Sequence, residues 1–455
     1  MVQSTSTSLS FPSELRTEVL RRIRPDSAEQ ERLRVVTSSL ISRIKSLARS
    51  KGINCIPILV GSAARGTWLS GDHDLDIFLA VPPNEDLNQG FELARQVAPE
   101  HEEKYAEHAY VHACINGFEV DLVPCYQVES ASSLKSAVDR TPFHSNYVAS
   151  RIVGLEDDVL ILKQFMKAAG VYGSELKVRG FSGYLTELLV LYYGSFLSVL
   201  EVAATWRPGE IIDLEGHSGR RHEDPLVVVD PVDPARNVAA ALSLDKLMQF
   251  TAASRCFLKG PTWSFFFPTK QEPLSDQKLI DCFEKRASRF LLIEFSAPQV
   301  VEDVLFPQLR KAEGSIRALL QRQEFSVLRS DVGHNADKAF ILIELDVWEL
   351  PRVRRRVGPP VWEAIHLSRF ISFHPSPLSG PHIENGHAVV EVTRKYTTAR
   401  DLLQSELASL SLGKHLNKEI RKGYNIYVGP ELAQIKDEGF RVFLANYLEA
   451  KVMIC

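Results

Sequence analysis

Apolar positions recur along the chain with two different periods. Across residues 11–50 they fall at helical spacing, with a break near Pro25-Asp26, so two consecutive helices are predicted. NCIPILV (54–60) and DLDIFLAV (74–81) read as strands, and a helix is predicted around 86–98. In YVHACINGFEVDLVP two alternating segments flank Asn116-Gly117, the dipeptide of a type I′ hairpin turn. Helical spacing then dominates 155–169, 181–205 and 243–259, while 206–237 (RPGE, GHSGRRHEDP, DPVDPARN) reads as loop. The C-terminal third mixes strands at 290–295, 339–348 and 387–394 with helices at 308–323, 399–409 and 430–449, and HPSPLSGPH near 374–382 reads as loop. The longest apolar run, Leu188 to Leu200, is too short to span a bilayer and reads as a buried helix.

One position class breaks this pattern. Side chains of a strand alternate faces, so Asp74, Asp76 and Phe78 project one way and Leu75, Ile77 and Leu79 the other. Two uncompensated carboxylates about 4 Å apart repel by roughly 4 kcal/mol at an effective dielectric near 20. A sequence that keeps them together has a positive partner between them, either Lys or Arg or a hard divalent cation. On the return strand of the hairpin, Glu119, Asp121 and Val123 share a face. If that strand lies beside 74–81 with matching faces, three carboxylates converge.

The 455 residues suffice for several cores, and 45% hydrophobic with 24% charged is ordinary globular composition. A net charge of -4 gives no global nucleic-acid signature, so a polyanionic partner needs local basic patches. Two exist: Arg352, Arg354, Arg355 and Arg356 in RVRRRVGP, and Lys414, Lys418, Arg421 and Lys422, which share a side if GKHLNKEIRKGY is helical. Alone, such runs are usually solvated faces. Six cysteines lack a C-x-x-C pair, which argues against a zinc site and a disulfide framework and fits a reducing cytoplasm. MVQSTSTSLS carries no signal-peptide pattern, and no membrane association is predicted.

Just before the acidic strand, Gly61-Ser62-Ala63-Ala64-Arg65-Gly66 opens a short helix or turn. Free N–H groups there, the Ser62 hydroxyl and the Arg65 charge suit phosphate oxygens. A phosphate cradle next to metal-binding acids is what phosphoryl or nucleotidyl transfer requires. The blander readings are an N-cap for Ser62, a surface charge for Arg65, backbone-satisfied acids and a loop role for His73.

The motifs GSAARGTWLSGDHDLDIFL, YAEHAYVHA, EVDLVPCY, SAVDRTPFH, GVYGSELKVRGFSGYL and VVDPVDPARNVAAALS resemble the DNA polymerase β-like nucleotidyltransferase superfamily, and within it the archaeal class I CCA-adding enzymes. They cover roughly 60–245; LFPQL, RRRVGPP and RFISFHP extend the likeness less specifically. The resemblance implies an α+β multidomain chain: a nucleotidyltransferase palm over 1–145, a helical central domain over 146–270, and an α+β body and tail over 271–455 that holds RNA. It implies template-independent addition and repair of the tRNA 3′-terminal CCA from CTP and ATP, in the cytoplasm, with pyrophosphate released. Asp74, Asp76 and Asp121 match the metal-binding carboxylates of a two-metal Mg²⁺ site, with Asp121 nearest the attacking hydroxyl. Ser62 and Arg65 match the nucleotide-phosphate loop; His144, Lys163 and Tyr172 match sugar and triphosphate contacts; Arg236 matches a base-reading arginine. The tRNA acceptor stem and T arm are the implied partner, gripped by shape. Monomer and homodimer both stay open.

Residue by residue, the plainer alternatives are a solvated helix face for Lys163, a core aromatic for Tyr172, an ordinary loop histidine for His144, and a salt bridge from Arg236 to Asp230 or Asp233. The rival functions are a terminal adenylyl- or uridylyltransferase such as a poly(A) polymerase, and an RNA-binding scaffold without chemistry.

Overall fold

The computed structural model describes residues 11–105, 109–217 and 223–449. Expectations resting on the N-terminal ten residues, on 106–108 of YAEHAYVHA, on 218–222 of GHSGRRHEDP and on Cys455 lie outside them. The chain forms two compact units, essentially 1–269 and 270–450.

The first unit opens with α1 (Ser13–Ile23) and α2 (Ser27–Lys51). Asp26 caps α2: its carboxylate accepts from Glu29 N, while the Glu29 carboxylate accepts from Asp26 N. Then follow β1 (Ile56–Val60), α3 (Gly61–Arg65), β2 (Asp74–Val81), α4 (Asn88–Val97), β3 (Glu102–Tyr105), β4 (Ala109–Ile115) and β5 (Phe118–Tyr126). The sheet order is β1-β2-β5-β4-β3. Only β2–β5 is parallel; the other pairs are antiparallel. Positive φ at Asn116 (53°) and Gly117 (80°) makes the predicted β4–β5 hairpin turn. Leu75, Ile77 and Leu79 of β2 pack with Val36, Leu40 and Ile44 of α2 and with α4, which fixes the opposite face of β2 for its acids.

The chain continues as α5 (Thr141–Ala149), α6 (Glu156–Ala168), α7 (Gly183–Tyr193), α8 (Phe196–Ala203), β6 (Glu210–Asp213), β7 (Leu226–Val229) and α9 (Leu244–Lys259) around an aromatic core of Phe165, Phe196, Phe250, Phe257 and Phe266. The helix predicted over 181–205 is two helices. Gly194 (φ 85°) ends α7, and the Ser195 hydroxyl, accepting from Ser198 N, starts α8 at 93° to it. The segment read as loop, 206–237, contains the parallel pair β6–β7. Asp158 ties this region together, accepting from Arg16 (3.1 and 3.0 Å) and from Phe196 N (2.9 Å).

The second unit comprises α10 (Asp276–Arg286), β8 (Arg289–Ser296), α11 (Glu302–Arg322), β9 (Ser326–His334), β10 (Lys338–Val347), β11 (Val353–Pro360), α12 (Ala364–Phe373), β12 (Ser379–Glu384), β13 (His387–Thr393), α13 (Ala399–Glu406), α14 (Lys414–Lys422), β14 (Tyr424–Val428) and α15 (Glu438–Leu448). It carries a four-stranded sheet, β14-β8-β10-β9, and a three-stranded one, β11-β13-β12. Sequence reading missed β9, β11, β12, β14, α10 and α12, and took 374–382 as loop where β12 begins at Ser379. The arginine run is strand β11, because its partner β13 supplies the burial (Ala388, Val389, Val390) that β11 lacks.

No single described helix is long and apolar enough to cross a membrane. Cys55, Cys114, Cys125 and Cys282 are free thiols, whereas Cys256 is disulfide-bonded.

Ile77 is fully buried between β2 and the helices covering it. Ile77→Ala is expected to lower unfolding stability by about 2–5 kcal/mol, read by denaturant titration of the protein.

Candidate active site

The acids come together through strand register. The parallel β2–β5 pair sets Asp76 opposite Asp121 and Asp74 opposite Glu119. These side chains leave the face that α2 and α4 do not cover. Asp76 and Asp121 line a cavity of about 320 Å³ with Val60, Gly61, Tyr110 and Thr141. Burial, then the charges of Asp121 and Asp74, push the Asp76 carboxyl up to about 6, opposed by Arg65. Burial, followed by the charges of Asp72 and Asp121, also raises Asp74. Gly61 has φ 73°, and a Cβ on it would collide with the Asp76 carboxylate, so only glycine lets β1 turn into α3 beneath that acid. Asp121 is turned toward a residue that sequence reading overlooked: His112 Nδ1 lies 2.6 Å from Asp121 Oδ1, and its Nε2 lies 3.0 Å from Glu119 Oε2.

Among the described residues, no three His, Cys, Asp or Glu side chains already form a metal-holding group. The donor chemistry nonetheless fits a hard divalent cation. Asp74, Asp76 and Asp121 offer oxygen alone, and Asp76 stands over a glycine cradle with its charge opposed by burial and by like charges.

Ser62 and Arg65, expected from the sequence to meet phosphate, follow the end of the neighbouring strand β1. Ser62 occupies the second position of α3 rather than its N-cap, which is Val60. Arg65 is buried, not a surface charge: its side chain is 8% exposed and pairs with the fully buried Glu187 of α7. Arg65 Nε donates to Glu187 Oε1 (3.0 Å), and its Nη1 to Ser145 Oγ (3.2 Å). Thr67 Oγ1 donates to the same Glu187 oxygen at 2.5 Å. Lys163 lies on no solvated face; it is 4% exposed, and its Nζ donates to the Thr67 carbonyl at 2.7 Å. Burial pushes the Lys163 ammonium down to about 8, with Glu187 the largest opposing charge. Tyr172 follows Gly170 (φ 67°) out of α6. A Cβ on Gly183, the first residue of α7, would meet Tyr172 Oη at 3.1 Å and Lys163 Nζ at 3.8 Å, so both polar ends gather over that bare helix start.

A second group centres on Asp230, which is fully buried. It accepts from His144 Nε2 (2.8 Å), Arg236 Nη1 (3.0 Å), Tyr184 Oη (3.4 Å) and Val232 N (3.0 Å). His144 belongs to helix α5 rather than a loop, and stacks on Tyr184 at 4.2 Å. Burial opposes the Asp230 charge, yet the bonds from His144, Val232 N and Arg236 together hold its carboxyl below the usual range. Burial also lowers the His144 pKa against the pull of Asp230. The salt bridge weighed for Arg236 is therefore present, to Asp230.

Thr67, Glu187, His112 and Tyr184 were not picked out from the sequence, and Asp230 only as a partner for Arg236. One signal was there to read: an ionisable residue inside the apolar run GYLTELLVLYY must have a buried partner.

In the second unit, strand alternation puts Arg354 and Arg356 on one face. They line a cavity of about 440 Å³ with Arg322, Arg394 and Lys395. Arg355 faces the other way and pairs with Glu384 at 2.5 Å. On α14, Leu416 and Ile420 are buried and Lys414, Lys418, Arg421 and Lys422 are exposed, as the helical reading of that segment requires.

Three family descriptions match this chain: "Nucleotidyltransferase domain" over 43–144, "tRNA nucleotidyltransferase, second domain" over 157–267, and "CCA-adding enzyme, C-terminal domain" over 286–429. The CCA-adding enzyme of Methanosarcina barkeri is 47% identical over 96% of this chain and 99% of its own length. That of Methanosarcina mazei is 46% identical over 97% and 100%, and that of Methanothermobacter thermautotrophicus 43% over 94% and 97%.

An acid whose folded pKa is raised favours the folded state while protonated and loses that advantage as pH rises. For Asp76 the loss runs from about 3.8 to about 6. Added divalent cation is therefore expected to raise the melting temperature more at neutral pH than near pH 4. Asp76→Asn should remove most of that rise. Scanning calorimetry with and without the cation checks both; equal shifts at the two pH values would contradict the assignment.

Proposed function

The chain belongs to the CCA-adding enzymes, and we infer from this membership that it adds and repairs the 3′-terminal CCA of tRNA, using CTP and ATP without a nucleic-acid template and releasing pyrophosphate. Its fold is that of a polymerase β-like nucleotidyltransferase, α+β and multidomain. Its substrates are tRNA and nucleotides, with a divalent metal. The observation that carries the chemistry is the β2–β5 register, which sets Asp76 beside Asp121 at a cavity.

Asp74, Asp76 and Asp121 are the residues to hold the cations, and their all-oxygen donor set favours Mg²⁺. When bound, a pair of such ions lowers the pKa of an attacking hydroxyl and neutralises a leaving pyrophosphate. Asp121 is the acid assigned nearest the 3′-hydroxyl of the tRNA. Ser62 and Arg65 on the turn after β1, with Lys163 and Tyr172 over the start of α7, are assigned to the triphosphate. The burial of the Arg65 side chain and of Lys163 excludes water and strengthens their contacts with phosphate. His144 and Arg236 are assigned to the sugar and the base. Asp230 holds both by one carboxylate, so the side chains that would meet the nucleoside share one fixed mount.

Residues 1–145 serve as the catalytic palm, 146–270 as the helical domain that closes on the nucleotide, and 271–455 as the RNA-holding part. Support for the last is the basic cavity under β11 and the exposed basic face of α14, which suit the phosphates of the acceptor stem and T arm. Exposed Trp362, Ile365, Phe373 and Ile383 favour a homodimer over a monomer. Action on tRNA, with no described helix able to span a membrane, supports a cytoplasmic location.

Purified protein with Mg²⁺ and a tRNA lacking CCA is expected to add two C residues from CTP and then one A, and to halt. Asp76→Asn should reduce the rate by about a thousandfold or more, the scale on which losing a charge-stabilising group costs an enzyme. An open-ended tail would favour the poly(A) polymerase reading, and tRNA binding without incorporation the scaffold. Arg356→Glu is expected to weaken tRNA binding about evenly across sequences and to lower the salt slope by roughly one, measured by filter retention over a salt series.

A further inference from the structure

Glu187 is the least expected charge in the protein. It sits in a helix of otherwise apolar, tyrosine and threonine side chains and is fully buried. A carboxylate so placed costs several kcal/mol unless its partners compensate it. Its partners come from the turn after β1: Arg65 Nε at 3.0 Å and Nη2 at 2.8 Å, and Thr67 Oγ1 at 2.5 Å. Thr67 then presents its carbonyl to Lys163 Nζ at 2.7 Å. One carboxylate on α7 thus fixes a cation on α3 directly and a cation on α6 through a single residue.

We propose that Glu187 is a positioning residue of nucleotidyl transfer, whose fixed negative charge holds Arg65 and Lys163 at the nucleotide's triphosphate. This rests on the assignment of those two cations to the triphosphate. An incoming triphosphate brings several negative charges, so two cations held at the site must stay charged and stay apart before it arrives. Arg65 does so because Glu187 holds one edge of its guanidinium, by the Nε hydrogen bond and the Nη2 ion-pair contact, while Nη1 also donates to Ser145 Oγ. Lys163 is the vulnerable one, since burial favours its neutral form. The charges facing it are Glu187 from α7, Arg65 from α3, Asp72 from the turn before β2 and Lys167 one helical turn along α6. The Tyr172 phenol, raised by burial, stays protonated beside it. Of these, Glu187 does most to keep the ammonium protonated, and Asp72 is itself engaged by Lys167.

The test is CTP incorporation into tRNA lacking CCA, followed from about pH 6 to about pH 9. The wild type is expected to lose kcat/KM as pH rises through about 8. Glu187→Gln keeps the size and the Thr67 bond but removes the charge. It should raise KM for CTP about tenfold and move the alkaline limb down by roughly one pH unit, while tRNA affinity without nucleotide stays unchanged. Glu187→Asp keeps the charge on a shorter stem. It should leave the limb at its wild-type pH while raising KM, and it carries the test if the Gln variant does not fold. A Glu187→Gln limb at the wild-type pH, with KM no higher than the folded fraction explains, would reduce Glu187 to a packing role. Lys163→Met separates the two layers of the argument. If it leaves both KM and the limb as in wild type, the triphosphate assignment of Lys163 is wrong. If it removes the limb while Glu187→Gln does not move it, only the role of Glu187 is overturned.

Discussion

Two carboxylates on neighbouring strands, facing the same way, are the constraint around which the first unit is built. The parallel register of β2 and β5 forces Asp76 and Asp121 together, and Asp74 adds its field from two residues away. Nothing in sheet formation rewards this; like charges on adjacent strands oppose pairing. The sheet tolerates it because the other face of β2 is driven into the core by Leu75, Ile77 and Leu79. A one-residue slip would bury the acids and expose those three, so the hydrophobic face holds the acidic face in register.

The surroundings distribute positive charge without discharging the acids. Arg65 is near enough to lower the Asp76 pKa, but its guanidinium is committed to Glu187. Lys167 is held by Asp72. His112 lies between Asp121 and Glu119 and so borders the pair without entering it. A guanidinium inserted between Asp76 and Asp121 would compensate them fully and leave no reason for a cation to bind. Cations attached instead to buried carboxylates of their own remain at the edge of the site, oriented and only partly neutralised. Glu187 and Asp230 do this for two different sets of side chains: one gathers Arg65 and Thr67, the other His144, Tyr184 and Arg236.

The second unit handles charge in the opposite manner. Its arginines and lysines lie mostly on the surface, on alternate positions of β11 and along one side of α14, where water screens them. Buried charge there serves packing: Glu344, fully buried, is answered by Arg286 and Ser288, and Arg441 by backbone carbonyls and Asp276. Exposed cations suit a long polyanion met along its backbone, whereas enclosed cations suit a small triphosphate taken out of water.

The sequence by itself determined the elements whose periodicity is strong and local. The interrupted pair of N-terminal helices, the acidic strand, the Asn116-Gly117 hairpin and helices α6 and α9 all follow from alternation, helical spacing, caps and turn chemistry. So did the shared face of Asp74 and Asp76, since a strand has a period of two wherever it lies. Strands such as β6, β9 and β14 were not legible, because their burial is supplied by partners distant in the chain. Tertiary structure alone decided the state of the polar side chains. Whether Lys163 points to water or to the Thr67 carbonyl, whether Arg65 is a surface charge or a buried pair with Glu187, and whether Arg236 is free or held by Asp230 depend on residues 96, 122 and 6 positions away. A side chain's type fixes the charge it can carry. Only its neighbours fix the dielectric around that charge and the group that answers it, and those neighbours are brought to it by the fold.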